Sequence, residues 1–283
     1  MLILFPSDYF NRRNVEPDYV SEYEAVCQIP EFKVVLYNYD GFVSGEPIKL
    51  YPKDYSGDCI YRGWMLTPEQ YSVLYSFLLD RGIFLINSPE EYNACHLFPS
   101  VYGAIKQYTP LSLCFEQGAD IDWKIVNKTL QKFIIKDYVK SVKGTRFPSF
   151  FETPVEAAMM NKRISEFVDL RGALFTGGIV LKEYVDFRKY GETTNEYRAF
   201  FLQGQLLSLC RNSNQPETCE FISHEFVHKF SKLRSNYYTV DFGELANGRW
   251  IVIETGDGQV SGLSPNQYVF KYYDDMRGIL GDG

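Results

Sequence analysis

The residues best suited to chemistry lie in a predicted β-hairpin that spans residues 237–262 of the 283-residue chain. Its two apolar strands are joined through Asn247-Gly248, a dipeptide that favours a tight hairpin turn. If this dipeptide forms a two-residue turn, Asp241 on one strand lies directly opposite Glu254 on the other. Like charges that face each other across a strand pair are destabilising. The hairpin therefore predicts either a ligand between these two carboxylates or a polar sheet face that points to water.

A divalent cation between Asp241 and Glu254 would remove their repulsion. Ligation by oxygen alone suits Mg²⁺, which keeps several waters and shares its coordination shell with substrate phosphates. Asp257 follows in a Gly-Asp-Gly sequence and is a third candidate ligand. We therefore predict a magnesium site formed by these three carboxylates.

The sequence His-Glu-Phe-Val-His, which begins at His224, matches the short signature of zinc hydrolases. A helix over residues 221–233 would place its apolar side chains on one face and turn His224 and His228 towards solvent. The extended metalloprotease pattern also fails, because Ser231 and Arg234 stand where it requires glycine and histidine. A zinc hydrolase remains a minor alternative, and a solvated helix face is the preferred interpretation.

Composition restricts the class of protein. Apolar residues make up 45% and charged residues 23% of the chain, and the net charge is −7. These are globular values, and the negative charge argues against nucleic acid as a partner. The six cysteines form no CxxC pair, which argues against a disulfide framework or a zinc site. The apolar start of the chain is too short for a signal peptide or a membrane span. We expect a cytoplasmic protein that does not bind membranes.

The order of predicted elements indicates two units. Strands and helices alternate over about the first 110 residues, which is typical of an α/β domain with a largely parallel sheet. After a predicted boundary near Gly118, antiparallel strands mix with packed helices in an α+β pattern. We therefore predict an N-terminal domain over residues 1–118 and a second domain over residues 119–283.

The order of charged residues in the second unit resembles that of the ATP-grasp superfamily. Lys136 lies in a predicted strand, Glu183 at the end of another and Arg198 in the next, followed by Asp241 and Glu254 on the hairpin. The greatest likeness is to a clade of small stand-alone members named for two conserved arginines and a lysine. The segments LFPSDYF, YRGWML and GIFLINSPEEY also resemble the leading domain of that clade. The resemblance implies an α/β N-terminal domain followed by a two-lobed α+β ATP-grasp domain.

The resemblance also implies roles for nucleotide-binding residues. Lys136 would contact the α- and β-phosphates, and Lys143 would lie in a mobile glycine loop over them. The backbone of Glu183, Tyr184 and Val185 would recognise the adenine edge, and the Glu183 side chain would bind the base or ribose.

Further implied roles concern catalysis and metal binding. Arg198 would steady the γ-phosphate or an acyl phosphate, and Asp241 and Glu254 would hold Mg²⁺. Many relatives carry Asn two residues after the metal-binding Glu, where this chain has Gly256, so Asp257 is the candidate substitute and a second metal ion stays open. Arg62, within an apolar strand, would bind an acidic substrate group or form a buried structural ion pair.

The function implied by the resemblance is that of an ATP-dependent carboxylate–amine ligase. Such an enzyme uses ATP and Mg²⁺, forms an acyl phosphate, and releases ADP and phosphate. Its partners would be small-molecule or peptide carboxylates and amines. The alternative from another class is a nucleotide-binding module without ligase activity. The sequence leaves the substrate and the oligomeric state open.

Overall fold

The computed structural model describes residues 1–142 and 144–281. The strands are β1 (Leu2–Pro6), β2 (Lys33–Tyr37), β3 (Leu50–Tyr51), β4 (Gly57–Tyr61), β5 (Ile83–Leu85), β6 (Ser112–Glu116), β7 (Lys132–Asp137), β8 (Phe151–Glu152), β9 (Gly178–Glu183), β10 (Lys189–Tyr190), β11 (Thr193–Thr194), β12 (Glu196–Leu202), β13 (Gln205–Arg211), β14 (Tyr237–Glu244) and β15 (Trp250–Asp257). The helices are α1 (Val20–Cys27), α2 (Tyr39–Val43), α3 (Pro68–Leu79), α4 (Pro89–His96), α5 (Phe98–Ile105), α6 (Trp123–Thr129), α7 (Ala157–Arg171), α8 (His224–His228) and α9 (Val269–Gly281). Within the described residues, none of these helices is long and apolar enough to cross a membrane.

The N-terminal sheet has the strand order β3-β2-β1-β4-β5. All of its strand pairs are parallel except β2 with β3, as the alternating pattern predicts. Helices α3 and α4 both begin with a capping box, in which Thr67 and Ser88 accept hydrogen bonds from the backbone N–H three residues later. The Thr-Pro and Ser-Pro sequences at these positions predict such helix starts.

Two four-stranded antiparallel sheets follow. The second sheet has the strand order β6-β9-β7-β8 and the third sheet has the order β13-β12-β14-β15, while β10 and β11 form a separate two-stranded pair. The predicted fold class, an α/β domain followed by two α+β lobes, is confirmed. Strand β6 pairs with β9 although it precedes residue 118, the proposed domain boundary.

The register of the β14–β15 hairpin places Asp241 opposite Glu254, as predicted. The assumed two-residue turn is wrong, because Phe242 pairs with Val252 nearer the turn and the loop has three residues. It ends at Gly248, whose φ of +82° is a backbone conformation that favours glycine. A bulge in β15 then shifts the register by one residue and restores the predicted opposition.

Helix α9 was not predicted, and it connects the two ends of the chain. Its buried residues Tyr272, Tyr273 and Met276 share one apolar core with Phe5 of β1 and Phe200 of β12. The helix therefore holds the N-terminal sheet against the third sheet, which fixes the space between them.

Two predicted helices are shorter than expected. The helix predicted over residues 221–233 is only α8, because after His228 the backbone N–H groups of Phe230 and Ser231 donate to the carbonyls three residues earlier, which closes turns instead of continuing the α-helix. The sequence Thr-Pro-Val-Glu from Thr153 predicts the start of a further helix. Helix α7 instead begins at Ala157, because the Thr153 backbone N–H donates to the Gln131 carbonyl next to β7.

Candidate functional site

Five charged side chains meet at the junction of the second and third sheets. Lys136 in β7 donates from Nζ to Glu254 Oε2 at 3.0 Å, across 118 residues of sequence. Lys140 lies 3.5 Å from the other oxygen of the same carboxylate. Lys136 is 7% exposed, so its charge is largely removed from water and needs this partner.

The other two members of the cluster form a bidentate ion pair. Arg198 in β12 lies opposite Asp241 in β14, and its Nε and Nη2 donate to the two carboxylate oxygens at 2.8 and 2.7 Å. Its Nη1 donates to the Gly262 carbonyl at 2.7 Å. Because Asp241 also faces Glu254, the three side chains form one row across β12, β14 and β15.

The cluster carries an excess of positive charge. Burial alone would raise the pKa of Glu254, but Lys136 and Lys140 outweigh it and lower that pKa, which keeps the carboxylate ionised. Burial raises the pKa of Asp241 even though Arg198 opposes this shift. With both carboxylates ionised, three cations face two anions. The site is therefore suited to binding a further anion, such as a phosphate chain.

A cavity of about 340 Å³ lies on one side of this cluster, between the second and third sheets. We call it the linker cavity after residues 183–187, which end β9 and lead towards β10. Its lining also includes Ile134, Lys136, Lys182, Ile251 and Ile253. The volume is within the range of about 300–1,000 Å³ that is typical of small-molecule sites. Apolar walls with a few polar groups suit a planar organic ring.

The backbone of the segment after β9 presents free hydrogen-bonding groups to this cavity. The N–H of Val185 and the carbonyl of Tyr184 have no partner among the described residues. Hydrogen bonds from Tyr184 N to the Lys132 carbonyl and from Ala246 N to the Asp186 carbonyl hold the segment on both sides. The Glu183 carboxylate is exposed and accepts from Leu111 N at 3.3 Å. An adjacent donor and acceptor of this kind can pair with one edge of a heterocyclic base.

Lys182 also lines the linker cavity, and the sequence did not identify it. Its Nζ donates to Thr109 Oγ1 at 3.0 Å and to the Ile253 carbonyl at 2.5 Å. Burial and the nearby charge of Lys136 lower its pKa to about 7. The available indication was a lysine inside the otherwise apolar sequence GIVLK, but the sequence analysis assigned the nucleotide-binding role to the adjacent Glu183 instead.

A second cavity, of about 530 Å³, lies on the other side of the cluster. We call it the hairpin cavity because it is lined by residues 255–256 of β15 and by residues 260–262, which follow the β14–β15 hairpin. Lys140 and Arg198 form part of the same wall. Lys136 lines the linker cavity, Lys140 lines the hairpin cavity, and Glu254 contacts both lysines. The charged cluster therefore lies between the two cavities.

The glycine loop after β7 is described only in part, since the predicted phosphate contact Lys143 lies outside the described residues. The loop begins with the backbone N–H groups of Val139 and Lys140 donating to Asp137 Oδ1 at 2.7 and 2.5 Å. Gly144 has a φ of +70°, a conformation that favours glycine.

Arg62 does not reach either cavity. It is 1% exposed, and its Nε and Nη2 donate to Glu22 at 2.8 and 2.9 Å. Its Nη1 donates to the carbonyls of Gly258 and Ser261 at 2.5 and 2.9 Å. The assignment of Arg62 as a catalytic, substrate-binding residue is therefore corrected to the buried ion pair that the sequence left open.

Asp257 is also not part of the charged cluster. It lies three residues beyond Glu254 in β15, so strand alternation directs the two side chains to opposite faces. Its Oδ2 accepts from Asn87 Nδ2 at 2.5 Å and its Oδ1 from Gln259 N at 2.9 Å, and burial raises its pKa to about 7. The predicted metal ligation by Asp257 is corrected to a buried structural contact.

The histidines of the zinc-like sequence are both exposed on α8, with ring centroids 6.4 Å apart. Within residues 1–142 and 144–281, no three His, Cys, Asp or Glu side chains come together in a way that could hold a metal ion. Asp241 and Glu254 offer the oxygen ligands that Mg²⁺ prefers, but they cannot form a complete protein cage. They fit a magnesium ion that shares its coordination with phosphates and water.

Comparison with known proteins gives results consistent with this geometry. A family model matches residues 123–276, and it describes an ATP-grasp domain of family 3 in the clade named for two arginines and a lysine. No protein of curated function matches the sequence.

Solved structures show the same fold over the whole chain. D-alanyl-alanine synthetase A from Vibrio cholerae is 11% identical, with a TM-score of 0.61, and the match covers 99% of this chain and 98% of that one. The D-alanine–D-alanine ligase from Bacillus anthracis complexed with ATP is 12% identical, with a TM-score of 0.61 and coverage of 100% and 99%. The macrocyclase MdnC from Microcystis aeruginosa, bound with its precursor peptide, is 12% identical, with a TM-score of 0.56 and coverage of 100% for both chains.

Proposed function

Because the chain belongs to the ATP-grasp superfamily, in family 3 of the clade named for two arginines and a lysine, we propose that it is an ATP-dependent ligase that joins a carboxylate to an amine. The observation that carries the proposal is the position of the charged cluster between two cavities. Glu254 contacts Lys136 of the linker cavity and Lys140 of the hairpin cavity. A phosphate chain along this cluster would connect a nucleotide on one side with an organic substrate on the other.

The linker cavity supports the nucleotide half of the proposal. The apolar walls formed by Ile134 and Ile253 suit an adenine ring, and the Tyr184 carbonyl and Val185 N–H suit its hydrogen-bonding edge. Lys136 and Lys182 lie on the side of the phosphates. Mg²⁺ held by Asp241 and Glu254 would neutralise phosphate charge, which is the chemistry that such an ion supplies when bound.

The reaction we propose has two steps. A carboxylate oxygen attacks the γ-phosphorus of ATP, so that an acyl phosphate forms and ADP leaves. The nitrogen of an amine then attacks the acyl carbon, an amide bond forms, inorganic phosphate leaves with the electron pair of the broken C–O bond, and the amine gives up a proton. Arg198 and Lys140 are the members of the cluster that line the hairpin cavity, where they would hold the transferred phosphoryl group in place.

Nucleotide binding is expected to take up a proton through Lys182. The free protein holds the pKa of this lysine at about 7, so the side chain is mostly neutral at pH 8. A nearby phosphate favours the charged form and raises that pKa. Calorimetric titration with a non-hydrolysable ATP analogue at pH 8, in buffers that differ in ionisation enthalpy, should show proton uptake. Lys182→Met should abolish the uptake, whereas Lys229→Met, at an exposed position directly after α8, should leave it unchanged.

The ligase reaction is tested by ADP release. The substrates named in the neighbouring structures, D-alanine and precursor peptides, suggest amino acids and short peptides as the first panel. We expect ADP release that requires a carboxylate, and a hydroxamate product when hydroxylamine replaces the amine. Nucleotide binding without carboxylate-dependent ADP release over the panel would favour the nucleotide-binding module. Replacing His224 and His228 together with Gln should change neither result, because both are exposed on α8 and line neither cavity.

A further inference from the structure

The hairpin cavity adjoins a smaller cavity of about 240 Å³ between α2, α3 and the turn after α7. The two share Tyr39, Met65, His96, Val139 and Leu174 in their linings. Both the N-terminal domain and the ATP-grasp domain therefore contribute to the walls of the hairpin cavity. Its volume of about 530 Å³ is larger than a transferred phosphoryl group requires, so it has room for an organic substrate.

His96 is a buried polar side chain in this lining that lacks a partner. It is the last residue of α4 and is 5% exposed, and its ring packs on Tyr92 at a centroid distance of 4.7 Å. Neither ring nitrogen has a hydrogen bond to any of the described residues, and neither is among the fully enclosed side-chain atoms that lack a partner, so both remain accessible to a small molecule. Burial, with a contribution from the charge of Lys140, lowers its pKa to about 3. The imidazole is therefore neutral at pH 7 and offers one acceptor nitrogen and one donor nitrogen.

The walls of the hairpin cavity differ in charge. Lys140 and Arg198 lie on the wall formed by the ATP-grasp domain, where a carboxylate or phosphate would bind. Asp40 lies on the wall formed by the N-terminal domain, and its only basic contact among the described residues is Arg12 at 3.9 Å. Burial and the charges of Asp40, Asp8 and Asp18 raise the pKa of Glu16, so Asp40 belongs to an acidic region of the N-terminal domain. A hydrogen-bond donor or a cation would bind here more readily than an anion.

Two aromatic rings form the apolar part of the N-terminal wall. Tyr39 and Trp64 pack with centroids 4.9 Å apart, and Trp64 is half-buried. The Tyr39 hydroxyl donates to the Met65 carbonyl at 3.2 Å, which fixes its ring. Such rings contact apolar groups and bind cationic groups through their faces.

We propose that the hairpin cavity binds the amine substrate of the ligase, with the amino group donating a hydrogen bond to His96 and the organic part of the molecule packing against Tyr39 and Trp64. The inference rests on the proposed function and specifies its second substrate as a primary amine with an apolar or extended body. The opposite wall, with Lys140 and Arg198, then holds the acyl phosphate that the amine attacks.

The chain offers a direct measurement of this contact, because it has three histidines and the other two are exposed on α8. The full-length protein, labelled with ¹⁵N-histidine and saturated with Mg²⁺ and a non-hydrolysable ATP analogue, is titrated with glycine, D-alanine, L-lysine and putrescine. The hydroxyl analogues glycolate and lactate serve as matched controls. His96→Gln assigns the imidazole signals.

We expect at least one amine to shift the His96 imidazole signals while those of His224 and His228 stay in place. Hydroxyl analogues should bind at least tenfold more weakly. His96→Phe, which keeps a ring against Tyr92 but removes both nitrogens, should weaken amine binding at least tenfold and leave the affinity for the ATP analogue unchanged.

Two results would overturn the inference alone: unchanged amine affinity in His96→Phe, or no response of His96 to any of the four amines while the nucleotide analogue binds. Failure of the unmodified chain to bind the nucleotide analogue would overturn the proposed function and this inference together. The two failures are therefore distinguishable in one experiment.

Discussion

Glu254→Gln is expected to remove the effect of Mg²⁺ on nucleotide binding. In the unmodified protein, Glu254 and the opposed Asp241 supply the two oxygen ligands through which the ion and the phosphates would bind together. Loss of one charge-assisted contact costs about 1.5–3 kcal/mol, which corresponds to an affinity for the Mg²⁺–nucleotide complex about ten- to a hundredfold weaker.

The same substitution should strengthen metal-free nucleotide binding. Lys136 and Lys140 lose their shared carboxylate partner in this variant, so both charges become available to the phosphates. Calorimetric titration with a non-hydrolysable ATP analogue, with and without Mg²⁺, measures both effects. Glu225→Gln on the exposed face of α8 is the matched control and should behave like the unmodified protein. A Glu254→Gln variant that keeps its full Mg²⁺ dependence would remove Glu254 from the metal site.

Arg62→Met is expected to lower the free energy of unfolding by about 3–5 kcal/mol, which is the usual cost of removing one partner of a buried ion pair. The change leaves the Glu22 carboxylate, which is 8% exposed, without its bidentate partner. It also removes the hydrogen bonds that hold the carbonyls of Gly258 and Ser261. These residues lie in the same loop as Gly262, whose carbonyl accepts from Arg198. Thermal and denaturant unfolding of the full chain measure the loss.

The partner substitution provides the control for this prediction. Glu22→Gln combined with Arg62→Met removes the unpaired buried charge, so the double variant should regain part of the lost stability. The Tyr273 hydroxyl, which donates to Glu22, can still donate to the amide oxygen of the introduced glutamine. Arg234→Met, at an exposed position, should change stability by less than about 0.5 kcal/mol. Equal stability of Arg62→Met and the unmodified protein would mean that the buried pair has no role in folding.

Local patterns in the sequence were sufficient for much of the fold. The alternation of strands and helices predicted the parallel N-terminal sheet, and the proline-containing caps predicted the starts of α3 and α4. The Asn-Gly dipeptide located the β14–β15 hairpin and the opposition of Asp241 and Glu254. That opposition was obtained through two compensating irregularities, a longer loop and a bulge, which no pattern in the sequence indicates.

Contacts between distant segments were beyond sequence reasoning. The pairing of Arg62 with Glu22 requires knowing that α1 meets the residue directly after β4, and the burial of Asp257 depends on Asn87, 170 residues away. Lys182 and His96 line the cavities only because separate segments close around them, and neither forms part of a recognisable motif. Side-chain types and spacing identified charged groups, whereas tertiary packing decides which of them reach the cavities.

The most direct test of the proposed function is the titration of the unmodified protein with a non-hydrolysable ATP analogue in the presence and absence of Mg²⁺. The charged cluster between the two cavities predicts saturable binding that Mg²⁺ strengthens, and that weakens when Lys136 is replaced by Met. No binding at millimolar analogue, with Mg²⁺ present and the protein folded, would contradict the proposal that this chain is an ATP-dependent ligase.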